Sequence, residues 1–129
     1  MLGAAAVQIG TAYLFTAEVN ISAAYRAALL QASAEQTALT NIFSGRPARG
    51  IVNRAMRELG PMSSTAPQFP IAAAAMAPLR QFAEANGSGD FSPLWAGQAV
   101  ALAHKQGMMS AAELTRQLAA QALVLLSPR

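Results

Sequence analysis

The chain has 129 residues, of which 53% are hydrophobic and only 12% are charged. Ordinary soluble domains carry roughly 25% charged residues, so this chain has little polar surface to cover its apolar residues. Its length fits one domain or a piece of a larger one. A net charge of +3 is too small an excess to predict a nucleic-acid-binding protein, and no contiguous basic face is visible.

Disulfide bonds and thiolate metal sites are excluded because the sequence contains no cysteine. No cluster of residues has the spacing of a metal site, so we expect no bound metal. The longest apolar runs, Ile71 to Leu79 and Ala119 to Leu126, are shorter than the roughly 18 residues that a membrane span needs. The first residues lack the basic start of a signal peptide. We therefore expect a cytoplasmic protein that has no membrane partner.

The first predicted element is a short strand at Val7 to Gly10, because this apolar run ends at a glycine, as buried parallel strands do. A short helical turn is predicted directly after it, at Thr11 to Phe15. Ser22 is a typical N-cap and predicts a helix to about Ala32. Thr37 to Ile42 has alternating character, which predicts a second short extended segment.

The middle of the chain is predicted to be a loop followed by two helices. Ser44 to Gly50 contains two glycines and a proline, which favour a loop. A helix is expected from Ile51 to Leu59, where Gly60-Pro61 ends it. A connector rich in Ser and Pro then leads to a helix from about Pro70 to Glu84, broken or kinked at Pro78.

Two further helices are predicted near the C-terminus. Ser92-Pro93 is a strong helix start and predicts a helix to about Gln106. Ser110 and Glu113 have the spacing of a capping box and predict the start of the last helix. The chain itself is therefore expected to be mostly α, with one or two short strands. A single strand cannot satisfy its own edges, so it would need neighbouring strands.

One segment combines the features of a phosphate site. In Gln8-Ile9-Gly10-Thr11, the glycine allows the backbone to approach a ligand closely, and Thr11 offers a hydroxyl and an N–H at the start of a helix. An ordinary turn between a strand and a helix, with no ligand, is the alternative interpretation of these four residues.

A longer pattern resembles the nitronate monooxygenases, formerly called 2-nitropropane dioxygenases. The resemblance covers about residues 2–125 and rests on segments that follow each other in the family's order. They are Gly3 to Glu18, similar to the last barrel strand; Ile21 to Arg26, similar to the next helix; Phe43 to Arg54, similar to a late signature; and Ala77 to Arg80 and Leu94 to Gln98, similar to the C-terminal helices.

The resemblance implies an α/β fold by family, namely the C-terminal part of an FMN-binding (β/α)8 barrel with an added helical region. Residues 1–20 would be the last barrel strand and phosphate-binding turn, and residues 21–129 the helical region. The implied activity is FMN-dependent oxidation of alkyl nitronates with O2 to carbonyl compounds and nitrite. FMN and a small nitronate are thus the expected partners, and the FMN phosphate is expected at Gln8, Ile9, Gly10 and Thr11.

This sequence also departs from the family pattern, since the family's catalytic histidine belongs to a Gly-Gly-His segment that is not found here. The single histidine, His104, is expected to be a packing or surface residue, so no catalytic residue is assigned. We expect the isolated chain to be inactive and to self-associate through unpaired barrel surfaces. The alternatives are a non-catalytic truncated remnant of this family or a fragment of a related FMN-dependent enoyl reductase.

Other candidates have two interpretations each. Arg46, Arg49 and Arg54 could bind an anion or, in the interpretation that we favour, fix the loop against the barrel. Trp95 and Gln98 are expected on one face of a helix, where they could lie near the flavin or simply anchor the helix. The tyrosines are expected to be packing residues.

Overall fold

The computed structural model describes residues 4–104 and 107–126, which are mostly helical and contain one sheet of two short strands, as the sequence predicted. Within these ranges no helix has the length and apolar character to cross a membrane. The elements in chain order are a 3₁₀ helix (Thr11–Phe15), α1 (Ala23–Gln31), a second 3₁₀ helix (Ala34–Gln36), β1 (Thr37–Thr40), β2 (Ala48–Ile51), α2 (Arg54–Leu59), α3 (Ala72–Ala85), α4 (Val100–His104) and α5 (Ala111–Leu126).

The described N-terminal segment forms no strand, so the prediction of a strand at Val7 to Gly10 is wrong for this structure. A strand needs a hydrogen-bonded neighbour, and the sheet in the described part of the chain contains only β1 and β2. Val7 is accordingly 78% exposed. The helical turn predicted at Thr11 to Phe15 is present as a 3₁₀ helix.

The helix α1 begins where its capping residue predicted. The hydroxyl of Ser22 accepts a hydrogen bond from the backbone N–H of Tyr25 at 3.2 Å, and the helix ends at Gln31. Leu29 on this helix is fully buried and joins a core cluster with Ile51, Leu94 and Val100. This cluster ties α1 to the sheet and to α4.

The strands β1 and β2 form an antiparallel hairpin in which Thr37 pairs with Ile51 and Thr40 pairs with Ala48. The extended segment predicted near residue 37 is confirmed, but the predicted loop at Ser44 to Gly50 is too long because its last three residues belong to β2. Gly45, within the hairpin loop, has a φ of +84°, and a Cβ there would lie 2.3 Å from the backbone nitrogen of Phe69. Only glycine fits this position.

A third extended segment lies along the free edge of β2. The N–H of Ile51 donates to the carbonyl of Leu94 at 2.8 Å, and the N–H of Ala96 donates to the carbonyl of Arg49 at 3.1 Å. Gly50 and Trp95 form an antiparallel bridge between these bonds. The close approach suits a glycine, since a Cβ on Gly50 would lie 3.0 Å from the Leu94 carbonyl oxygen.

The helix predicted to begin at Ser92-Pro93 is therefore wrong at its start. Pairing of residues 94–96 with β2 overrides the local helix signal, and α4 begins only at Val100. The Ser92 hydroxyl donates to the Glu84 carboxylate at 2.7 Å instead of capping a helix. The predicted helix end at Gln106 lies outside the described residues.

Asn53 connects three parts of the structure and is only 5% exposed. Its side-chain oxygen accepts a hydrogen bond from Met56 N–H at 3.2 Å and caps α2, which therefore starts at Arg54 and not at the predicted Ile51. Its amide nitrogen donates to the carbonyls of Gly89 at 3.0 Å and Ser92 at 2.9 Å. The side chain thus holds the segment that leads to residues 94–96 against the start of α2.

The sequence predicted the start of α5 correctly but predicted a break in α3 that is not present. The predicted break at Pro78 is absent, because α3 runs without interruption through this residue. The predicted start of α5 is confirmed, since the Ser110 hydroxyl donates to the Glu113 carboxylate at 2.7 Å and accepts from its N–H at 3.2 Å. Of the residues on α5, Leu114 is buried, whereas the C-terminal half of this helix is exposed.

We predict that Asn53→Ala lowers the free energy of unfolding by about 2–3 kcal/mol, because it removes a helix cap and leaves two carbonyls without their donor. Chemical denaturation followed by circular dichroism measures this change. Asn86→Ala is the matched control, since Asn86 is exposed at the end of α3 and its side chain makes one hydrogen bond, to the Phe82 carbonyl. Equal losses for the two variants would contradict the role assigned to Asn53.

Candidate functional site

The turn at Gly10 leaves backbone donors without partners in its helix. The first bond of the 3₁₀ helix runs from Tyr13 N–H to the Gly10 carbonyl at 3.0 Å, so the N–H groups of Thr11 and Ala12 precede the helical bonding pattern. A Cβ built on Gly10 would meet no atom within 4 Å. The space beside these donors is therefore open to a ligand.

Thr11 joins this turn to the segment that follows Trp95. Its hydroxyl oxygen accepts a hydrogen bond from the N–H of Gly97 at 2.9 Å. Because a hydroxyl has one hydrogen and two lone pairs, this contact leaves the Thr11 hydrogen free to be donated to a ligand. Gly97 was not singled out in the sequence, and it carries no local signal that would have revealed the contact.

Three of the predicted site residues line one open cleft with a volume of about 770 Å³. They are Gln8, Gly10 and Thr11, and the opposite wall carries Arg49 and Trp95. Ile9 does not line this cleft, but all four predicted residues border a smaller cavity of about 260 Å³ on the side of α4 and α5. The structure therefore brings the four residues together at one turn, and three of them also face the larger cleft.

The arginines of the predicted cluster do not converge on one point. Arg49 donates to the Thr37 carbonyl and hydroxyl at 3.0 and 3.1 Å, which fixes its guanidinium across the hairpin at the cleft wall. The guanidinium of Arg46 lies 4.6 Å from the ring centre of Phe69. Arg54 pairs with Glu58 on the exposed face of α2 at 2.7 Å. These contacts favour the loop-fixing interpretation over a shared anion site.

Tyr25 forms part of the cleft wall and fixes the backbone of Trp95. Its hydroxyl donates to the Trp95 carbonyl at 2.5 Å. Burial raises the pKa of Tyr25 to about 12. The phenol is therefore neutral at physiological pH. The sequence suggested only a packing role for this residue.

Trp95 does not lie on a helix face with Gln98, because Trp95 bridges to β2 and Gln98 lies in the exposed turn before α4. That prediction is wrong for the same reason as the helix start at Ser92. The indole packs edge-to-face on Phe43, with ring centres 5.9 Å apart. The contact anchors the extended segment that pairs with β2, and not a helix as one of the two interpretations had it.

His104 is a packing residue, as expected. Its Nε2 contacts the Leu29 carbonyl oxygen, and its ring centre lies 5.3 Å from that of Phe15. It does not line the cleft. Among the residues that the structure describes, no group of acidic residues or histidines could hold a metal ion.

The comparisons with known proteins agree with one another. A family model described as nitronate monooxygenase matches residues 1–121. A nitronate monooxygenase of Pseudomonas aeruginosa is 44% identical over 91% of this chain and 33% of its own length, and one of Paraburkholderia phytofirmans is 42% identical over 91% and 31%. A solved nitroalkane oxidase from Streptomyces ansochromogenes has a TM-score of 0.70 and 38% identity, over 88% of this chain and 31% of that one. The chain spans about a third of the length of the curated relatives.

We predict that the Tyr25 phenol of the folded chain ionises with a pKa of about 12 and that this ionisation is absent in Tyr25→Phe. Absorbance of phenolate at alkaline pH measures it. Since the folded pKa is raised above the unfolded value of 10.0, the contribution of Tyr25 to stability is complete below pH 10.0 and is lost as the pH rises towards 12. A difference in unfolding free energy between wild type and Tyr25→Phe that does not depend on pH in this range would contradict the prediction.

Proposed function

Because the chain belongs to the nitronate monooxygenase family, we propose that it forms the C-terminal portion of an FMN-dependent enzyme that oxidises alkyl nitronates with O2. In this proposal residues 1–20 contribute the last barrel strand and the phosphate-binding turn, and residues 21–129 form the added helical region. The observation that carries the proposal is the open cleft lined by Gly10 and Thr11, where the Thr11 N–H precedes the first hydrogen bond of the 3₁₀ helix.

The residues of this turn fit a phosphate group. Two backbone N–H groups and the Thr11 hydroxyl hydrogen are donors, and the absence of a side chain at Gly10 leaves room for the phosphate oxygens. The guanidinium of Arg49 adds a positive charge on the same cleft. Gln8 would contact the phosphate from the cleft wall, whereas Ile9, which does not line this cleft, would act only through its backbone.

The described side chains would bind and orient the cofactor without carrying out acid–base chemistry. FMN, when bound, would supply the redox chemistry that oxidises the nitronate. Thr11 would donate to the phosphate while Gly97 holds its oxygen in place, and Tyr25 would keep the Trp95 carbonyl paired on the cleft wall. His104 is the only histidine in the chain and is turned towards the Leu29 carbonyl.

This position of His104 favours a second candidate, a non-catalytic relative that retains the phosphate site alone. The two candidates differ in turnover and not in flavin binding. A fragment of an FMN-dependent enoyl reductase is a less supported alternative, because the matched family model and both curated relatives are described as nitronate monooxygenases.

We predict that the chain binds FMN at least about tenfold more tightly than riboflavin, because only FMN presents a phosphate to the turn. Flavin fluorescence titration measures both dissociation constants. Thr11→Val should weaken FMN binding by about tenfold and leave riboflavin binding unchanged, whereas Thr11→Ser and the exposed control Thr65→Val should behave like wild type. Equal affinity for the two flavins would contradict the proposed phosphate site.

The same preparations test whether the purified chain is catalytic. Nitrite release from propane-2-nitronate in the presence of FMN and O2 measures turnover by the purified chain. We expect none, because no described histidine or carboxylate faces the cleft. Nitrite formation by the 129-residue chain would contradict this expectation and would exclude the non-catalytic candidate.

Self-association is also part of the proposal. Large apolar side chains are exposed at Val7, Phe82 and Val124, at 78%, 74% and 76% respectively, and separate faces of this kind favour association. We expect oligomers in sedimentation velocity at micromolar concentration. A single monomeric species at high concentration would contradict this expectation. A cytoplasmic location stays a prediction from the composition.

A further inference from the structure

A second cavity, separate from the open cleft at Gly10 and Thr11, lies between α3 and the extended segment around Trp95. Its volume is about 160 Å³, and its walls include the rings of Phe43, Phe91 and Trp95 together with Met76. Besides the Trp95 residue, the residues on its lining with a polar or charged side chain are Ser44 and Arg80. The cavity therefore combines apolar walls with one cation and no acidic residue.

The guanidinium of Arg80 lacks a partner within the described part of the chain. Its Nε is buried, and no hydrogen-bond acceptor contacts it. A buried donor without an acceptor is unfavourable, and a charged one more so. Native structures rarely keep such a group unless a ligand or another molecule satisfies it. Because Arg80 also lines the cavity, an acceptor that enters the cavity can approach its guanidinium from outside the chain.

The nearest candidates within the fold are already engaged elsewhere. Glu84 is one helical turn after Arg80 on α3, where an ion pair would be expected, but its carboxylate accepts from the Ser92 hydroxyl. The Ser44 hydroxyl donates to the Arg46 carbonyl at 2.9 Å and accepts from its N–H. Neither side chain neutralises the Arg80 guanidinium, so a bound anion would not compete with an existing ion pair.

We propose that this cavity binds a small planar monoanion with two oxygens, a carboxylate or a nitronate, through the guanidinium of Arg80. The fork of N–H groups on a guanidinium matches two oxygens held in one plane, which a single ammonium does not. The aromatic and Met walls then enclose a short apolar tail. A volume of about 160 Å³ admits an anion with a few carbon atoms and excludes a flavin.

Trp95 connects this cavity to the proposed function, since this residue lines both the cavity and the open cleft. The two spaces thus share one wall residue. The assignment of a nitronate as the anion rests on the proposed function, whereas the binding of a two-oxygen monoanion to Arg80 rests on the cavity alone. The two claims can therefore fail separately.

Trp95 is the single tryptophan of the chain, so its fluorescence reports on this cavity. The test titrates the full chain, without flavin, with isobutyrate, a carboxylate with the same charge and the same heavy-atom connectivity as propane-2-nitronate. Isobutyramide is the neutral match of the same size. We expect a saturable change in emission with isobutyrate and at least about tenfold weaker binding of isobutyramide. Equal binding of the two, or no saturable change with isobutyrate, would overturn the proposal.

Variants assign the effect to one side chain. Arg80→Gln should weaken isobutyrate binding by about tenfold or more, and Arg80→Lys should restore only part of it. The control Arg116→Gln removes the same charge from the exposed surface of α5, outside the cavity lining, and should bind like wild type. If Arg80→Gln does not fold, the comparison of isobutyrate with isobutyramide on the wild type still decides whether the chain prefers the anion to its neutral match. Unchanged affinity in a folded Arg80→Gln would overturn the proposal.

A competition experiment identifies which anion the cavity prefers. Saturation-transfer NMR on the methyl groups of bound isobutyrate should show displacement by propane-2-nitronate and none by neutral 2-nitropropane. Isobutyrate binding without displacement by the nitronate would leave a carboxylate site and overturn the link to the proposed function. Anion binding in a chain that retains no FMN would leave the cavity standing while the proposed function fails.

Discussion

The buried amide of Asn53 is the contact on which the rest of this structure depends. One side chain caps α2 and also holds the carbonyls of Gly89 and Ser92. Those carbonyls lie just before the segment that pairs with the edge of β2. The amide therefore sets the register in which Trp95 meets Gly50, because a shift of one residue would move the indole to the opposite face of the sheet.

Both candidate sites follow from that register. With Trp95 placed on β2, its carbonyl meets the Tyr25 hydroxyl and the N–H of Gly97 reaches Thr11. Trp95 then lines both the open cleft and the small cavity. Arg49, whose guanidinium is fixed across the hairpin, lines the cleft, and Arg80, whose Nε has no partner in the described structure, lines the cavity. The arrangement suits two anionic groups of different size held near one another.

Much of the helical structure could be predicted because its signals are local. Ser22 and Ser110 cap their helices through bonds to residues three positions later, so short sequence patterns suffice. Gly60 is a local signal of the same kind, because it ends α2 with a φ of +78° that glycine adopts readily. The sequence also indicated that Gly10 and Thr11 lie at an exposed turn suited to a ligand.

The remaining features depend on partners that are distant in the chain. Ser92-Pro93 reads as a helix start, but the backbone of residues 94–96 gains hydrogen bonds to β2 that a helix would forgo. The strand expected at Val7 to Gly10 has no neighbour with which to pair in the described structure. The unpaired Nε of Arg80 has no sequence signature, because Glu84 four residues later predicts an ion pair that the described structure does not contain.

The central claim is that the turn at Thr11 holds the phosphate of FMN, and the backbone amides of this turn report on it most directly. The measurement is the ¹H–¹⁵N correlation spectrum of the chain with FMN and, separately, with riboflavin. We predict downfield shifts of the Thr11 and Ala12 amide protons with FMN but not with riboflavin, because only the phosphate of FMN gives these N–H groups an anionic acceptor. Flavin binding that leaves both amides unchanged would contradict it.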